Sequence, residues 1–536
     1  MCGIFAYLFS STQTVKAKRN IVANALLSQH RGPDNTTIQM DDPNHTFVFH
    51  RLCINDQSNL GNQPMNYGEY ILICNGEIYN HKELQEKYNI QCVSKSDCEI
   101  IIHMCSRFGI EKTVRELEGV FAFVLYDKTS RTYHIARDPI GIRSLYIGQT
   151  NEGGTVCASE LKSIHSLVNS VELFPPGTYC TIPVYNKSPL EYHTYYEYEY
   201  PLSEMSFKTE DRMSETVREL LIDAVKKRMM SEREIGCFLS GGLDSSIVTA
   251  LVARCMPDND PSKLHTFSIG MEGSTDILAA REVAKYVGTT HHEIIVTQEE
   301  MINALPEVIR QIESYDTTTV RASTPMYLLS KWIRENTEIT VIFSGEGSDE
   351  LSGSYMYFHN APSPDAFQEE TVRLVKDLQY FDVLRCDKST AGAGLEVRVP
   401  FLDKRFVEAY MSVPPVIRMP RKNIEKYFLR KMFQEYLPDS IVWRTKEAFS
   451  DGVSSTSDSW YSIIQRFVDT QVSDEQVLLC QTINNVNPPQ LKEAAYYRML
   501  FEKYYPGRSD TIPYYWLPKW SGNVIDPSAR VLDVYS

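Results

Sequence analysis

The run IGCFLSGGLDSSIVTALVAR, Ile235–Arg254, decides the architecture of the larger part of this chain. Its first five residues, Ile235–Leu239, make a short apolar stretch of the kind that becomes a buried strand, and a helical pattern covers Ser246–Arg254. Between them stands a Ser-Gly-Gly turn. The flanks repeat the unit: an amphipathic helix is predicted over Ser214–Met230, and further strands over Thr266–Ile269, Glu293–Val296 and Ile339–Phe343, with helical sequence between them. Strand, crossover helix and strand in alternation predict an α/β doubly wound, mostly parallel sheet, whose ligands lie at the carboxyl ends of the strands. The final third, including Ile424–Tyr436 and Pro489–Tyr505, reads as helical.

The turn Ser240–Ser246 has the chemistry of an anion cradle. Glycine lets backbone N–H groups converge, serine hydroxyls add donors, and the following helix points its positive end inward. A Walker A loop would carry a lysine here; Asp244 stands in the run instead, which suits a phosphate only if Mg²⁺ lies between. A second Gly-containing turn, SGEGSDE at Ser344–Glu350, follows the predicted strand Ile339–Phe343 and offers Asp349 as the second Mg²⁺ ligand. Two such turns at strand ends are what a split nucleotide site requires.

Up to about Tyr185 the rhythm differs. Short β-rich runs (Gly3–Leu8, Phe47–Ile54, Tyr70–Cys74, Phe121–Tyr126, Thr132–Ala136, Ser144–Ile147) cluster around few helices, Val15–Gln29 and Glu99–Phe108. That predicts an α+β sandwich with largely antiparallel sheets. The expected organisation is a first domain over 2–185, a Tyr- and Glu-rich linker over 186–203, and a second domain over 204–536.

Hydrophobic residues at 43% and charged residues at 23% leave little room for disorder, so both parts should fold. A formal net charge of −15 disfavours nucleic acid and anionic membranes as partners. No apolar run is long enough to span a bilayer and no secretory leader is evident, so a cytoplasmic protein is expected. The twelve cysteines are scattered; Cys92, Cys98 and Cys105 have no familiar zinc spacing and are read as core residues.

Met1 is followed by Cys2 and Gly3, a context that favours removal of the methionine. A terminal cysteine carries an amine with pKa near 8 beside its thiol, so one residue supplies nucleophile and base. RGPD at Arg31–Asp34, HRL at His50–Leu52 and NGEIYN at Asn75–Asn80, with an Asn-Gly turn expected after Tyr70–Cys74, follow in order. Together with Cys2 they resemble the glutaminase domain of N-terminal-nucleophile amidotransferases, an αββα sandwich. The resemblance implies that Cys2 attacks the glutamine side-chain amide, that Asn75 and the Gly76 N–H form the oxyanion hole, and that Arg51 takes the α-carboxylate. It further implies that Asp97 meets the α-ammonium, with Glu77 and the backbone of Leu52, Cys53, Ile54 and Asn55 completing the pocket.

The turn SGGLDSS is similar to that of ATP pyrophosphatases, which cleave between the α- and β-phosphates. With SGEGSDE and WRTKEAFSDGV (Trp443–Val453) added, the chain resembles the glutamine-hydrolysing asparagine synthetases of the B type over nearly its whole length. That resemblance implies ATP contacts by Phe238, Leu239, Ser240, Gly241, Gly242, Asp244, Ser245, Ser246, Ile269, Ser344 and Gly345. Glu346 would be the base for ammonia and Lys446 would neutralise charge on the phosphates, among flanking Arg444, Glu447, Ser450 and Asp451. GLEVRVPFLD (Gly394–Asp403) and RASTPMYL (Arg321–Leu328) would shape aspartate and interdomain surfaces. Aspartate, glutamine and ATP are the implied substrates, ATP with Mg²⁺, and a homodimer the implied assembly. Two other readings stay open: a β-lactam-synthetase-like enzyme, which would need neither Cys2 nor Asn75, and a catalytically silent homologue. Three departures from the family pattern stand out. Phe238 replaces an aliphatic residue, Ser354 replaces a second glycine beside Asp349, and Ala393 replaces a larger residue and is expected to enlarge a pocket near the substrate.

Overall fold

The computed structural model describes residues 1–9, 15–40, 42–184, 189–200, 208–446, 449–455 and 458–528. Parts of the expected linker, 186–188 and 201–203, and Glu447 lie outside them. The chain divides into two compact units: residues 1–198 with 230–234 and 390–396, and the remainder.

In the first unit, twelve strands run in chain order: β1 (Gly3–Leu8), β2 (Asn35–Gln39), β3 (His45–Arg51), β4 (Met65–Tyr67), β5 (Tyr70–Ile78), β6 (Gly119–Asp127), β7 (Thr132–Arg137), β8 (Tyr146–Gln149), β9 (Thr155–Ala158), β10 (Ser170–Leu173), β11 (Thr178–Pro183) and β12 (His193–Thr194). They form two six-stranded sheets, ordered β10-β8-β9-β1-β3-β2 and β12-β11-β7-β6-β5-β4. Every pairing is antiparallel. Ile4, Phe47 and Phe49 of one sheet meet Ile71, Ile73 and Val124 of the other in a buried core. The far face of the second sheet packs Leu72, Phe121 and Phe123 on Ile100, Ile101 and Met104 of a helix. Helices α1 (Val15–Ala25), α2 (His81–Tyr88) and α3 (Glu99–Glu116) complete the αββα sandwich.

Two boundaries depart from the sequence reading. The Asn75-Gly76 pair is not a turn: β5 runs through it to Ile78, pairing Asn75 with Ala122 and Gly76 with Phe121. Glycine is required there by close approach, because a Cβ on Gly76 would stand 2.5 Å from the Val120 carbonyl oxygen. Strand β3 ends at Arg51, short of the expected Ile54, so Leu52–Asn55 are released into a loop. Cys98 and Cys105 are core residues, and Cys92 packs against the same cluster.

The second unit holds a five-stranded sheet of β13 (Ile235–Phe238), β14 (His265–Gly270), β15 (Thr290–Ile295), β16 (Val341–Phe343) and β17 (Glu396–Arg398), ordered β15-β14-β13-β16-β17. The β13–β14, β14–β15 and β13–β16 pairs are parallel. The chain moves outward from β13 to β15 and then returns to the other side of β13 with β16. The switch point therefore lies between β13 and β16, and the two Gly-containing turns follow those two strands. Helices α4 (Glu210–Lys227), α5 (Leu243–Ala253), α6 (Thr275–Val287), α7 (Gln298–Ile312), α8 (Thr317–Asn336) and the short α9 (Ser348–Ser352) connect or cover the strands, and further helices follow to Tyr504. Thr297 and Glu300 close a reciprocal capping box on α7. Helix α5 begins three residues earlier than expected, with Gly242 as its N-cap, so Asp244 and Ser245 lie in the first helical turn. Among the described residues no helix is long and apolar enough to cross a membrane.

Candidate active sites

In the first unit Cys2 stands one residue before β1, with its Sγ 3.4 Å from the Leu52 N–H and 3.7 Å from the Leu52 carbonyl oxygen. The Arg31 Nε donates to the Cys2 carbonyl at 2.9 Å while Nη1 pairs with Glu160 at 3.1 Å, so the RGPD motif fixes the backbone of the thiol-bearing residue. Met1 precedes Cys2 in the chain, and its buried amino group donates to the Leu395 carbonyl at 3.0 Å. Burial pulls that amine down to about 5 and pushes the Cys2 thiol up to about 12. A thiol in this setting stays neutral until a base acts on it.

Asn75 on β5 is buried, and its Nδ2 has no hydrogen-bond partner. A buried amide donor left unmade costs about 1–3 kcal/mol, so this donor is available for an acceptor that is not part of the chain. Asn55 Nδ2 donates to Glu77 at 2.7 Å and to Asp97 at 3.1 Å, and Asp97 also accepts the Ile78 N–H at 2.6 Å. Burial raises the Asp97 carboxyl despite these donors. The negative charge of Glu77 is felt at the Cys2 sulfur, which ties this acidic pair to the thiol. Arg51 is held in place by the loop after β3: Nη1 donates to Ser58 at 2.8 Å and to Asn62 at 2.7 Å, and Nη2 to the Asp56 carbonyl. Cys53 donates its N–H to Asp34 at 2.7 Å, and Ile54 is buried in the same loop.

In the second unit one cavity is walled by Phe238, Leu239, Ser240, Gly242, Asp244, Ser245, Ile269, Ser344, Gly345, Glu346, Asp349 and Lys446. Gly241 and Ser246 are not in the wall. Gly241 takes φ +74°, and a Cβ there would stand 2.4 Å from the Ala280 nitrogen; the Ser246 hydroxyl turns back to the Gly242 carbonyl at 2.7 Å. The two turns touch, since a Cβ on Gly345 would lie 2.8 Å from the Ser245 nitrogen. Ser245 Oγ accepts the Ser240 N–H at 3.2 Å, which preforms the loop.

Lys426 was missed by the sequence reading, which saw only a helical stretch there. It is buried, takes φ +57° before the helix Tyr427–Phe433, and brings Nζ within 2.5 Å of both Asp244 and Asp349. Lys446 Nζ lies 2.6 Å from the other Asp349 oxygen. Burial would raise Asp349, but Lys426 and Lys446 outweigh it and hold the carboxyl far below its usual range. Two carboxylates from two strand ends thus converge on one positive point, a donor set that fits a hard divalent cation. Ser354 Oγ donates to Asp349 at 2.5 Å, so the serine that departs from the family pattern pins the carboxylate. Ala393, in contrast, is not in the wall of this cavity; it lies in the 390–396 segment that belongs to the first unit. Arg321 of RASTPMYL is consumed by Glu493 at 2.6 Å and Asp526 at 2.8 Å, while Ala322 and Met326 of the same motif reach the wall.

Glu346 accepts from Arg385 Nη2 at 2.6 Å, and burial pushes its carboxyl up to about 7. At Glu350 burial and the charge of Asp382 raise the carboxyl, which accepts the Tyr355 hydroxyl. Arg385, Asp382 and Glu350 were also missed. Nothing in the spacing of these residues marks a site.

A thiol-bearing sandwich and a split, acid-lined cavity at a sheet's switch point define an amidotransferase joined to a nucleotide-using domain. Comparison with known proteins agrees. The Glutamine amidotransferase domain family matches residues 1–192, and the Asparagine synthase family matches 216–365 and 359–521. Glutamine-hydrolysing asparagine synthetases from Gallus gallus and Rattus norvegicus are each 45% identical to this chain, and that from Mus musculus 44%, over 100% of the chain and 99% of the relative. The chain belongs to the glutamine-hydrolysing asparagine synthetase family.

Proposed function

We propose that the chain makes asparagine from aspartate, with glutamine as nitrogen donor and ATP as the source of activation, through a glutaminase domain at 2–185 and a synthetase domain at 204–536. The observation that carries the reading is the convergence of Asp244 and Asp349, from the turns after β13 and β16, on one ammonium. In the first domain, loss of Met1 frees the Cys2 amine to take the thiol proton. The sulfur then attacks the glutamine amide carbon, and the unpartnered Asn75 amide with the Gly76 N–H receives the developing oxyanion. Arg51 and Asp97 orient the substrate's α-carboxylate and α-ammonium.

In the second domain the Ser240–Ser245 turn and the α5 N-terminus bind phosphate oxygens, and Phe238 and Ile269 pack on adenine. Asp244 and Asp349 would hold Mg²⁺, which supplies charge neutralisation to the phosphates when bound. A β-carboxylate oxygen of aspartate attacks the α-phosphorus and pyrophosphate leaves. Ammonia then attacks the acyl carbon, AMP departs, and Glu346 accepts the proton that nitrogen loses. Lys446 and Lys426, released from Asp349, balance the charge of the departing pyrophosphate. We place the enzyme in the cytoplasm as a homodimer. Purified protein given aspartate, ATP and Mg²⁺ with glutamine or an ammonium salt should yield asparagine, AMP and pyrophosphate by chromatography. ADP and phosphate instead would overturn the adenylation.

A further inference from the structure

The cavity of the second unit holds a guanidinium whose hydrogen bonding is incomplete. Arg385, on the helix Asp382–Ala391, is 5% exposed, and its Nη2 bonds both Glu346 at 2.6 Å and Asp382 at 2.5 Å. Its Nη1 is buried and has no partner. The other cations of the wall are engaged. Arg430 spends its nitrogens on Glu425 and on the Val442 and Arg444 carbonyls, Arg444 meets Asp276 at 3.1 Å, and the two lysines hold Asp349. A buried N–H of a charged group without an acceptor is costly, and its presence in a cavity wall points to an acceptor brought by a ligand.

The surroundings define that ligand. Glu346 and Asp382 pair with the same guanidinium and Glu350 lies against Asp382, so a polyphosphate would meet a cluster of carboxyls there, and the phosphate-binding turn is elsewhere in the wall. An amino acid brings a carboxylate for Nη1 together with an ammonium that the acidic residues accept. We propose that Arg385 Nη1 binds the α-carboxylate of the substrate amino acid, beside Asp382 for its α-ammonium, leaving the second carboxylate to face the nucleotide. Arg385 would thus select an aminodicarboxylate over a simple amino acid. This rests on the synthetase reading above and names the specificity residue of its second site.

The test compares aspartate with 3-aminopropanoate, which keeps the amine and the carboxylate to be activated but lacks the other. Binding is measured by calorimetry on the full chain with Mg²⁺ and a non-cleavable α,β-methylene ATP, for wild type and Arg385→Lys. Lysine keeps a positive charge between Glu346 and Asp382 but has no second arm, so the variant is chosen to fold where a neutral one would leave both acids unpaired. Wild type should bind aspartate about 100-fold more tightly than 3-aminopropanoate, since a site built for a polar group rejects the analogue lacking it. Arg385→Lys should remove most of that ratio while changing 3-aminopropanoate binding by less than about 3-fold. Equal weakening of both ligands would reduce Arg385 to a support for Glu346 and overturn the proposal; so would a wild type without preference, whether or not the variant folds. Arg385-dependent aspartate binding in a protein that forms ADP would uphold it while the adenylation reading fell.

Discussion

At the scale of single residues the second unit is governed by what burial does to carboxyl groups. Asp349 and Glu346 are three positions apart in one turn, yet their protonation is pushed in opposite directions. Lys426 and Lys446 overwhelm burial at Asp349, whereas at Glu346 burial wins over the Arg385 pair and the carboxyl rises to about 7. One acid is therefore a fixed anion and the other titrates in the working range, a separation suited to holding a cation and moving a proton. Glu346 must be ionised to accept a proton, so ammonia-dependent synthesis, measured at constant free ammonia, should fall as the pH drops through about 7. Glu346→Gln should lower the rate by about 10²–10⁴-fold and abolish that limb. A limb that survives the substitution would assign the titration to another group.

Elements carry the first site. β5 and β6 approach so closely at their ends that Gly76 and Gly119 are both needed; a Cβ on Gly119 would lie 2.3 Å from the Glu77 carbonyl oxygen. That contact keeps Asn75 extended within the sheet. Gly76→Ala should cost about 1–3 kcal/mol, as overpacking does, read as a lower urea midpoint, and should depress glutamine hydrolysis beyond what the loss of folded protein explains. An unchanged midpoint would show that the strands separate freely. The same pair shows how far local pattern reading goes. The strands β1, β7 and β14 are legible as short β-rich runs, and the two anion-binding turns from their glycines. Asn75-Gly76 was misread because Asn-Gly signals a turn unless a neighbouring strand demands the missing Cβ, and that neighbour is more than forty residues away. Lys426 and Arg385 were invisible for a related reason: each acquires meaning only from carboxylates brought by strand ends far off in the chain.

At the scale of the whole molecule the two units differ in the kind of chemistry they expose. The first depends on a partly buried thiol, which desolvation pushes upward, and an unpartnered amide donor; the second depends on charged groups around a cavity. Neither set contains a residue that the other needs, so the nitrogen supply should be separable from the ligation. Cys2→Ala removes a partly buried sulfur that meets the Leu52 N–H and carbonyl, a small loss of packing just before β1. Glutamine-dependent asparagine formation should therefore disappear, while ammonium salts still support asparagine, AMP and pyrophosphate at a rate within about 3-fold of wild type, because uniform loss of one nucleophile leaves the second barrier untouched. Mass spectrometry of the wild-type chain should show one methionine fewer than the gene encodes, since a free amine at Cys2 would then stand beside its own thiol as the base. If the methionine remained and glutamine were still consumed, the base would have to be sought among Glu77 and its neighbours. If ammonium also failed in Cys2→Ala, the two units would be bound in a tighter dependence than their separate cores imply.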